Sequence, residues 1–130
     1  MQNQPLFSFC ILSYNNYKYM FEALDSLFQQ TYPNIELLIS NDASPDFDMA
    51  ELTQYINDHK RENIRHVFLN DNKTNLGTVR NVELVRSEAK GEYIMYMAAD
   101  DALYDENVLQ RFADEFEERG KEAMVLCGKV

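Results

Sequence analysis

Residues 93–101 read Tyr-Ile-Met-Tyr-Met-Ala-Ala-Asp-Asp, an apolar run followed at once by two carboxylates. The run is too short for a typical helix and is apolar at successive positions, which is typical of a parallel strand covered on both faces. No glycine or proline separates the acids from the run, so an ordinary turn explains them poorly. We predict a strand at 93–98 that brings Asp100 and Asp101 to one edge of a sheet.

Similar apolar runs recur along the whole chain at a nearly constant distance. They end near residues 13, 40, 69, 98 and 127, so successive runs are 27 to 29 residues apart. That distance accommodates one strand, one helix and their connections. The five predicted strands are Phe7–Ser13, Ile35–Ser40, Ile64–Leu69, Tyr93–Ala98 and Ala123–Cys127.

The segments between the strands carry apolar residues at the three- and four-residue spacing of amphipathic helices. Side chains suited to N-capping precede three of them, namely Asn15 or Asn16, Asp48, and Asp105. The order βαβαβαβαβ predicts an α/β fold, a doubly wound and mainly parallel sheet with helices on both faces. The predicted helices are 17–30, 48–60, 78–89 and 105–120.

Size and charge limit the class of protein. The 130 residues, 45% of them apolar, suit a single domain over 1–130 with one core. No run approaches the ~20 apolar residues of a membrane span, and no basic segment of a signal peptide begins the chain. A net charge of −10 disfavours a nucleic-acid partner. Cys10 and Cys127 lie in apolar runs without a CxxC pattern, which favours buried thiols in a reducing compartment.

Polar side chains follow each predicted strand at its carboxyl end, where open parallel sheets bind ligands. Turn preferences of Asn, Asp and Ser explain any one of these loops taken alone. A dinucleotide-binding fold requires a glycine-rich first turn, and the first turn of this chain contains no glycine. The GxxxxGK[ST] loop of nucleotide-binding P-loop proteins does not occur either. A phosphorelay receiver places its acids after the first and third strands, whereas these follow the second and fourth. What remains is a nucleotide held by amides and Asp42, with a divalent cation on Asp100 or Asp101.

Six strings, taken together and in order from about Phe7 to Cys127, resemble the family 2 glycosyltransferases of the GT-A fold. The resemblance implies a domain that binds a UDP-type nucleotide sugar through Mg²⁺ or Mn²⁺ and transfers the sugar, with inversion, to a hydroxyl of a glycan or lipid-linked acceptor. It also implies polysaccharide biosynthesis on the cytoplasmic side of a membrane. The strings are Ile11-Leu-Ser-Tyr-Asn15, Ser26-Leu-Phe-Gln-Gln-Thr-Tyr-Pro33, Ser40-Asn-Asp-Ala-Ser-Pro-Asp46, Asn75-Leu-Gly-Thr-Val-Arg-Asn81, Ala89-Lys-Gly-Glu-Tyr-Ile94 and Met97-Ala-Ala-Asp-Asp101.

The resemblance assigns nucleotide-binding roles position by position. Asp42 resembles the acid that pairs with uracil N3, and Asn41 replaces the acid that usually precedes it. The turn formed by Ser13, Tyr14 and Asn15 resembles the segment that holds the nucleobase. A second group, Asn75, Gly77 and Arg80, resembles the segment that lies beside the nucleotide and its phosphates.

The resemblance also assigns the metal site and leaves the catalytic base unassigned. Asp100 resembles the last acid of an Asp-x-Asp metal motif, and Asp101 the acid that supports the metal or the sugar. Ala98 replaces the first acid of that motif, so the metal role rests on Asp100. The family's general base follows the fifth strand, so we expect it beyond Val130 in a longer chain. A nucleotide-binding or interaction module without transferase activity, or an unrelated doubly wound regulatory domain, is left open by the residues alone.

Overall fold

The structure is a computed structural model and describes residues 4–120. Strands and helices alternate along this part of the chain, as the spacing of the apolar runs predicts. A 3₁₀ turn at Tyr17–Tyr19 precedes the first helix. The strands are β1 (Phe7–Ser13), β2 (Ile35–Asp42), β3 (Ile64–Asn72) and β4 (Tyr93–Ala98), and the helices are α1 (Met20–Phe28), α2 (Met49–His59), α3 (Thr78–Glu88) and α4 (Val108–Arg119).

All four described strands are parallel and lie in the order β3-β2-β1-β4. The chain builds outward from β1 to β3 and then returns to place β4 on the other side of β1. The carboxyl ends of β1 and β4 therefore form a topological switch point, where open α/β sheets bind ligands. The predicted doubly wound parallel sheet is confirmed, and the predicted fifth strand, Ala123–Cys127, lies outside the described residues.

Helices cover both faces of the sheet, because successive strand residues point to opposite sides. Phe9 and Leu37 belong to the larger core, which α1, α2 and α4 cover. Cys10 and Leu38 face the other way and pack with Val85 of α3. Cys10 is a buried thiol, as expected, and burial followed by the nearby Glu36 raises its pKa to about 12; Cys127 lies outside the described residues. Within residues 4–120, every helix is too short or too polar to cross a bilayer.

Two of the predicted helix starts are wrong. Neither Asn15 nor Asn16 caps α1, because the 3₁₀ turn intervenes and α1 begins only at Met20. Asp105 does not cap α4 either; it accepts a hydrogen bond from the backbone N–H of Asn107 (2.9 Å), the residue that precedes the helix. Asp48 does cap α2, accepting from the backbone N–H of Glu51 at 3.0 Å.

A buried carboxylate fixes β4 against β1 and β2 at the amino ends of the strands. Glu36 is 5% exposed and accepts hydrogen bonds from Ser8 Oγ (2.5 Å) and from the backbone N–H of Lys90 (2.5 Å). Ser8 Oγ in turn accepts from the backbone N–H of Gly91 at 2.8 Å. Both donors bind the same carboxylate oxygen, Oε1, which reduces the cost of removing the acid from water. Since β4 ends two residues before Asp100, this contact also fixes where that acid emerges.

Candidate functional site

A pocket of about 280 Å³ opens at the switch point, between the carboxyl ends of β1 and β4 and the first turn of α3. Residues that are distant in sequence meet there, which only the parallel topology allows. The lining includes Ser13, Tyr14 and Asn16 after β1, Asp42 at the end of β2, Thr78 and Asn81 of α3, and Tyr96, Met97 and Ala98 of β4.

The turn after β1 is held by its own polar side chains. Asn16 Oδ1 accepts hydrogen bonds from the backbone N–H of Tyr14 (3.0 Å) and from Ser13 Oγ (3.2 Å). Asn15 has a positive φ of 56°, and its backbone N–H donates to Ser44 Oγ at 2.7 Å. The turns after β1 and β2 are therefore joined, while Tyr14 stays 53% exposed at the pocket wall.

The turn after β2 contains an unfavourable backbone conformation. Ala43 has a φ of 66°, in the left-handed region where a non-glycine residue costs roughly 1–2 kcal/mol. Its two neighbours, Asp42 and Ser44, are both buried and both bind other loops. The contacts of these neighbours offset the strain and keep Asp42 at the pocket.

Asp42 is 4% exposed, and its carboxylate is surrounded by donors of the chain. Oδ1 accepts from the backbone N–H of Leu76 (2.7 Å) and from Asn72 Nδ2 (3.1 Å), and Oδ2 accepts from the backbone N–H of Gly77 (2.9 Å). The sequence predicted a binding role for Asp42 but not these contacts, which join segments 30 to 35 residues apart.

Asn81 holds α3 on the sheet from the same polar cluster. It is 3% exposed; its Oδ1 accepts from Ser40 Oγ (2.6 Å) and Asn72 Nδ2 (3.0 Å), and its Nδ2 donates to the backbone carbonyl of Ser40 (3.2 Å). Asn81 has no predicted role. Its signal is visible in hindsight, because it is a polar residue one turn before the buried Val85, on the inward side of α3.

The residues predicted to bind the nucleotide around the start of α3 differ in how they are connected to the pocket. Gly77 has a φ of 90° and a ψ of 160°, a region in which glycine is almost alone, and its N–H donates to Asn75 Oδ1 (2.9 Å) as well as to Asp42. Asn75 and Arg80 are exposed and lie outside the pocket lining. The pocket itself therefore brings together Ser13, Tyr14 and Asp42, with Asn15, Asn75 and Gly77 joined to it by hydrogen bonds or neighbouring backbone.

Asp100 and Asp101 are exposed where the chain leaves β4. Asn16 Nδ2 donates a long hydrogen bond of 3.4 Å to Asp100 Oδ1, and the backbone N–H of Asp101 donates to the carbonyl of Ala98 (3.0 Å). Residues 4–120 contain no group of three or more acidic, histidine or cysteine side chains that could hold a metal unaided. Mg²⁺ and similar cations commonly use one or two carboxylates together with ligand phosphates and water. The acid pair fits a cation of that kind.

Tyr96 and Thr78 are pocket residues that sequence reasoning did not select. Tyr96 lies on the α3 side of β4, paired with Cys10 of β1. Burial, followed by the nearby Cys10, raises the pKa of Tyr96, while Arg86 lowers it, so the phenol keeps its proton at neutral pH. The alternation of side chains along β4 could have identified this position, since Tyr96 and Ala98 share one face.

Comparison with known proteins gives the family. Residues 8–128 match the family described as Glycosyl transferase family 2. An uncharacterised glycosyltransferase of Haemophilus influenzae is 33% identical over 101 residues, covering 78% of this chain and 30% of the relative. Glycosyltransferase GlyG of Streptococcus pneumoniae is 28% identical over 120 residues, covering 92% and 38%. This chain thus spans about a third of the length of these relatives.

Solved structures show the same fold. The mannosyltransferase PcManGT from Pyrobaculum calidifontis, in complex with GDP-Man and Mn²⁺, aligns with a TM-score of 0.78 at 19% identity, covering 88% of this chain and 33% of that chain. TarS 1-349 of S. aureus, in complex with UDP-GlcNAc, aligns with a TM-score of 0.70 at 25% identity, covering 87% and 31%. The chain therefore belongs to glycosyltransferase family 2, and its parallel sheet with helices on both faces is the GT-A fold.

Proposed function

We propose that this chain is the donor-binding part of a glycosyltransferase, which holds a UDP-type nucleotide sugar through a divalent cation. The observation that carries the proposal is the pocket at the switch point. Its wall includes the buried acid Asp42, and its turn residue Asn16 donates to Asp100, the first acid of the pair. A base-binding acid and a cation-binding acid are thus linked through one short turn.

The nucleobase half of the site is built around Asp42. A carboxylate accepts hydrogen bonds and donates none, which suits the N3–H of uracil. Tyr14 is half-exposed at the pocket wall and offers a ring on which the base can stack, while Ser13 and Asn15 keep its turn in place. The hydrogen bond to the base contributes about 1–3 kcal/mol and serves to position the donor.

The phosphate half of the site is built around Asp100, with Asp101 beside it. A bound Mg²⁺ or Mn²⁺ would supply charge neutralisation for the diphosphate and for the nucleotide as it leaves the sugar. Asn75 and Arg80 are exposed at the start of α3, next to the pocket residue Thr78, and we assign them with Gly77 to the phosphate side. The Mn²⁺ and GDP-Man of the mannosyltransferase and the UDP-GlcNAc of TarS support a nucleotide-sugar site with a divalent cation.

The reaction in this proposal is transfer of the sugar to a hydroxyl of a glycan or lipid-linked acceptor, with inversion, at the cytoplasmic side of a membrane. Membership of the family is what supports these details of the proposal. Inverting transfer requires a general base that takes the proton of the acceptor hydroxyl. We assign that base to no residue of this chain.

Calorimetric titration with UDP tests the site in the absence and presence of Mn²⁺. We expect Mn²⁺ to tighten UDP binding at least tenfold in the wild type and to have little effect in Asp100→Ala. Asp114→Ala removes an exposed acid of α4 and serves as the matched control, with wild-type behaviour expected. Absence of binding at millimolar UDP with Mn²⁺ would refute the proposed function, and an unchanged Mn²⁺ effect in Asp100→Ala would refute the metal assignment. A module without transferase activity would bind UDP in the same way and transfer no sugar.

A further inference from the structure

The carboxylate of Asp42 is largely occupied before any nucleotide arrives. A carboxylate offers about four acceptor positions, and three are taken by the N–H groups of Leu76, Gly77 and Asn72. At most one position is therefore left for a nucleobase. The other three positions bind the chain itself, and two of them bind the loop that leads into α3.

That loop leads into α3, whose first turn forms a wall of the pocket. Leu76 and Gly77 immediately precede Thr78, and both Thr78 and Asn81 line the pocket. Among the described residues no side chain caps α3, whose first residue follows Gly77 in its unusual conformation. Besides Asp42, the acceptor of the Gly77 N–H is a local one, Asn75 Oδ1, only two residues away. Asp42 is therefore the contact that joins this backbone to the sheet.

We propose that Asp42 is a positioning residue for the pocket wall at the start of α3, which it holds through the backbone of Leu76 and Gly77, in addition to accepting one N–H from the base. The part that concerns nucleotides rests on the proposed function. Asp42 then contributes to the binding of every nucleotide, because the wall is needed whatever the base. Its one remaining acceptor position adds a preference for bases that carry a ring N–H, such as uracil, over cytosine, which carries none at neutral pH.

Amide hydrogen exchange of the protein without nucleotide tests the positioning role directly. In Asp42→Asn the side chain has one acceptor oxygen, and its amide donors face backbone N–H groups. We expect exchange protection of the Leu76 and Gly77 amides to fall at least tenfold, while Ile11 in the core of β1 changes less than twofold. Asp46→Asn removes an exposed carboxylate of the same loop and should leave both amides protected. Unchanged protection of Leu76 and Gly77 in Asp42→Asn would overturn the proposal.

A second measurement needs no substitution and covers the case in which Asp42→Asn fails to fold. Scalar couplings across hydrogen bonds between the Asp42 carboxylate carbon and the Leu76 and Gly77 amide nitrogens should be detectable in the labelled wild type. Couplings between these particular atoms arise only if the Asp42 carboxylate accepts from these two amides. Absence of both couplings, with both amides exchanging as fast as exposed loop amides, would overturn the proposal.

Titration with UDP and CDP in the presence of Mn²⁺ tests the consequence for binding. We expect the wild type to prefer UDP, and Asp42→Asn to weaken both nucleotides roughly tenfold or more while the preference shrinks. Weaker UDP with unchanged CDP would show that Asp42 only contacts the base, which overturns the coupling. If the wild type binds neither nucleotide, the proposed function fails, and the exchange and coupling measurements still decide whether Asp42 positions the loop.

Discussion

Replacing Gly91 by alanine should separate β4 from β1. A methyl group at this position would lie 2.4 Å from Ser8 Oγ and 2.7 Å from both the Leu6 carbonyl oxygen and the Ser8 backbone nitrogen. Two of these atoms belong to the backbone of β1 and the residue before it, so no side-chain rotation removes the clash. We therefore expect the segment before β4 to move away from β1.

The expected cost has two parts. The methyl carbon must retreat by about 0.3 Å from the backbone atoms and about 0.6 Å from Ser8 Oγ merely to reach 3.0 Å, and overpacking of this kind costs roughly 1–3 kcal/mol. The same movement stretches the hydrogen bonds from Gly91 N–H to Ser8 and from Lys90 N–H to the buried Glu36. A lost hydrogen bond to a charged group costs roughly 1.5–3 kcal/mol. We expect about 4 kcal/mol in total, a large part of the roughly 5–15 kcal/mol that stabilises a typical domain.

Urea denaturation followed by circular dichroism measures this loss. Ser8→Ala is the control, because it removes the hydroxyl that links Gly91 to Glu36 and adds no atom; it should cost about 1.5–3 kcal/mol. The comparison separates crowding from the lost hydrogen bonds. If Gly91→Ala costs less than about 1 kcal/mol, β4 does not pack against β1 as closely as these distances state, and the reasoning is refuted.

Three further predictions concern single residues of the rim, of α2 and of the core. Ala43→Gly should stabilise the fold by about 0.5–1 kcal/mol, because relief of the left-handed strain exceeds the entropy of the glycine; a loss of stability in urea would contradict the strain. Asp48→Ala should cost about 1 kcal/mol by removing the N-cap of α2, with helix content followed by circular dichroism, and Asp48→Asn should retain most of it. In a Cys127→Ser background, Cys10 should react with a thiol reagent at pH 8 only after unfolding, because its pKa is raised from 9.0 to about 12. Since a raised thiol pKa means that the fold favours the protonated form, stability should fall as the pH rises above 9; rapid labelling of the folded chain would contradict the burial.

The strands were the part of the fold that the sequence predicted best. The bounds of β1 and β4 agree with the predicted runs, because apolar side chains occupy both faces there. β2 and β3 continue two and three residues further than predicted, to Asp42 and Asn72. Those extra positions are polar, and a prediction based on apolar runs ends each strand at the first polar residues. The backbone ladder continues there because Asn72 Nδ2 donates to Asp42 across the two strands.

The helix starts were predicted less well because several side chains compete for each cap. Asparagine is a favoured N-cap residue, yet the side-chain Oδ1 of Asn16 accepts hydrogen bonds from the backbone N–H of Tyr14 and from Ser13 Oγ in the preceding turn. The inward side of α3 shows the same limit: Val79 is 71% exposed, whereas the polar Asn81 is buried. A periodicity rule counts apolar residues and has no means of recognising a polar side chain whose partners lie on β2 and β3.

Departures from local preference concentrate at the rim that holds the pocket. Within residues 4–120, the two non-glycine residues with a positive φ, Asn15 and Ala43, lie in the turns after β1 and β2, and the hydrogen bond from Asn15 to Ser44 joins these turns. Sequence rules are expected to fail where a fold retains strain for function. The amino ends of the strands offer the contrast. The buried Glu36 accepts hydrogen bonds there from Ser8 of β1 and from Lys90 before β4, and neither donor lies next to a left-handed residue. The strain at the rim is therefore not a general cost of burying acids in this sheet. It accompanies the acid that faces the pocket, where we propose that the nucleotide binds.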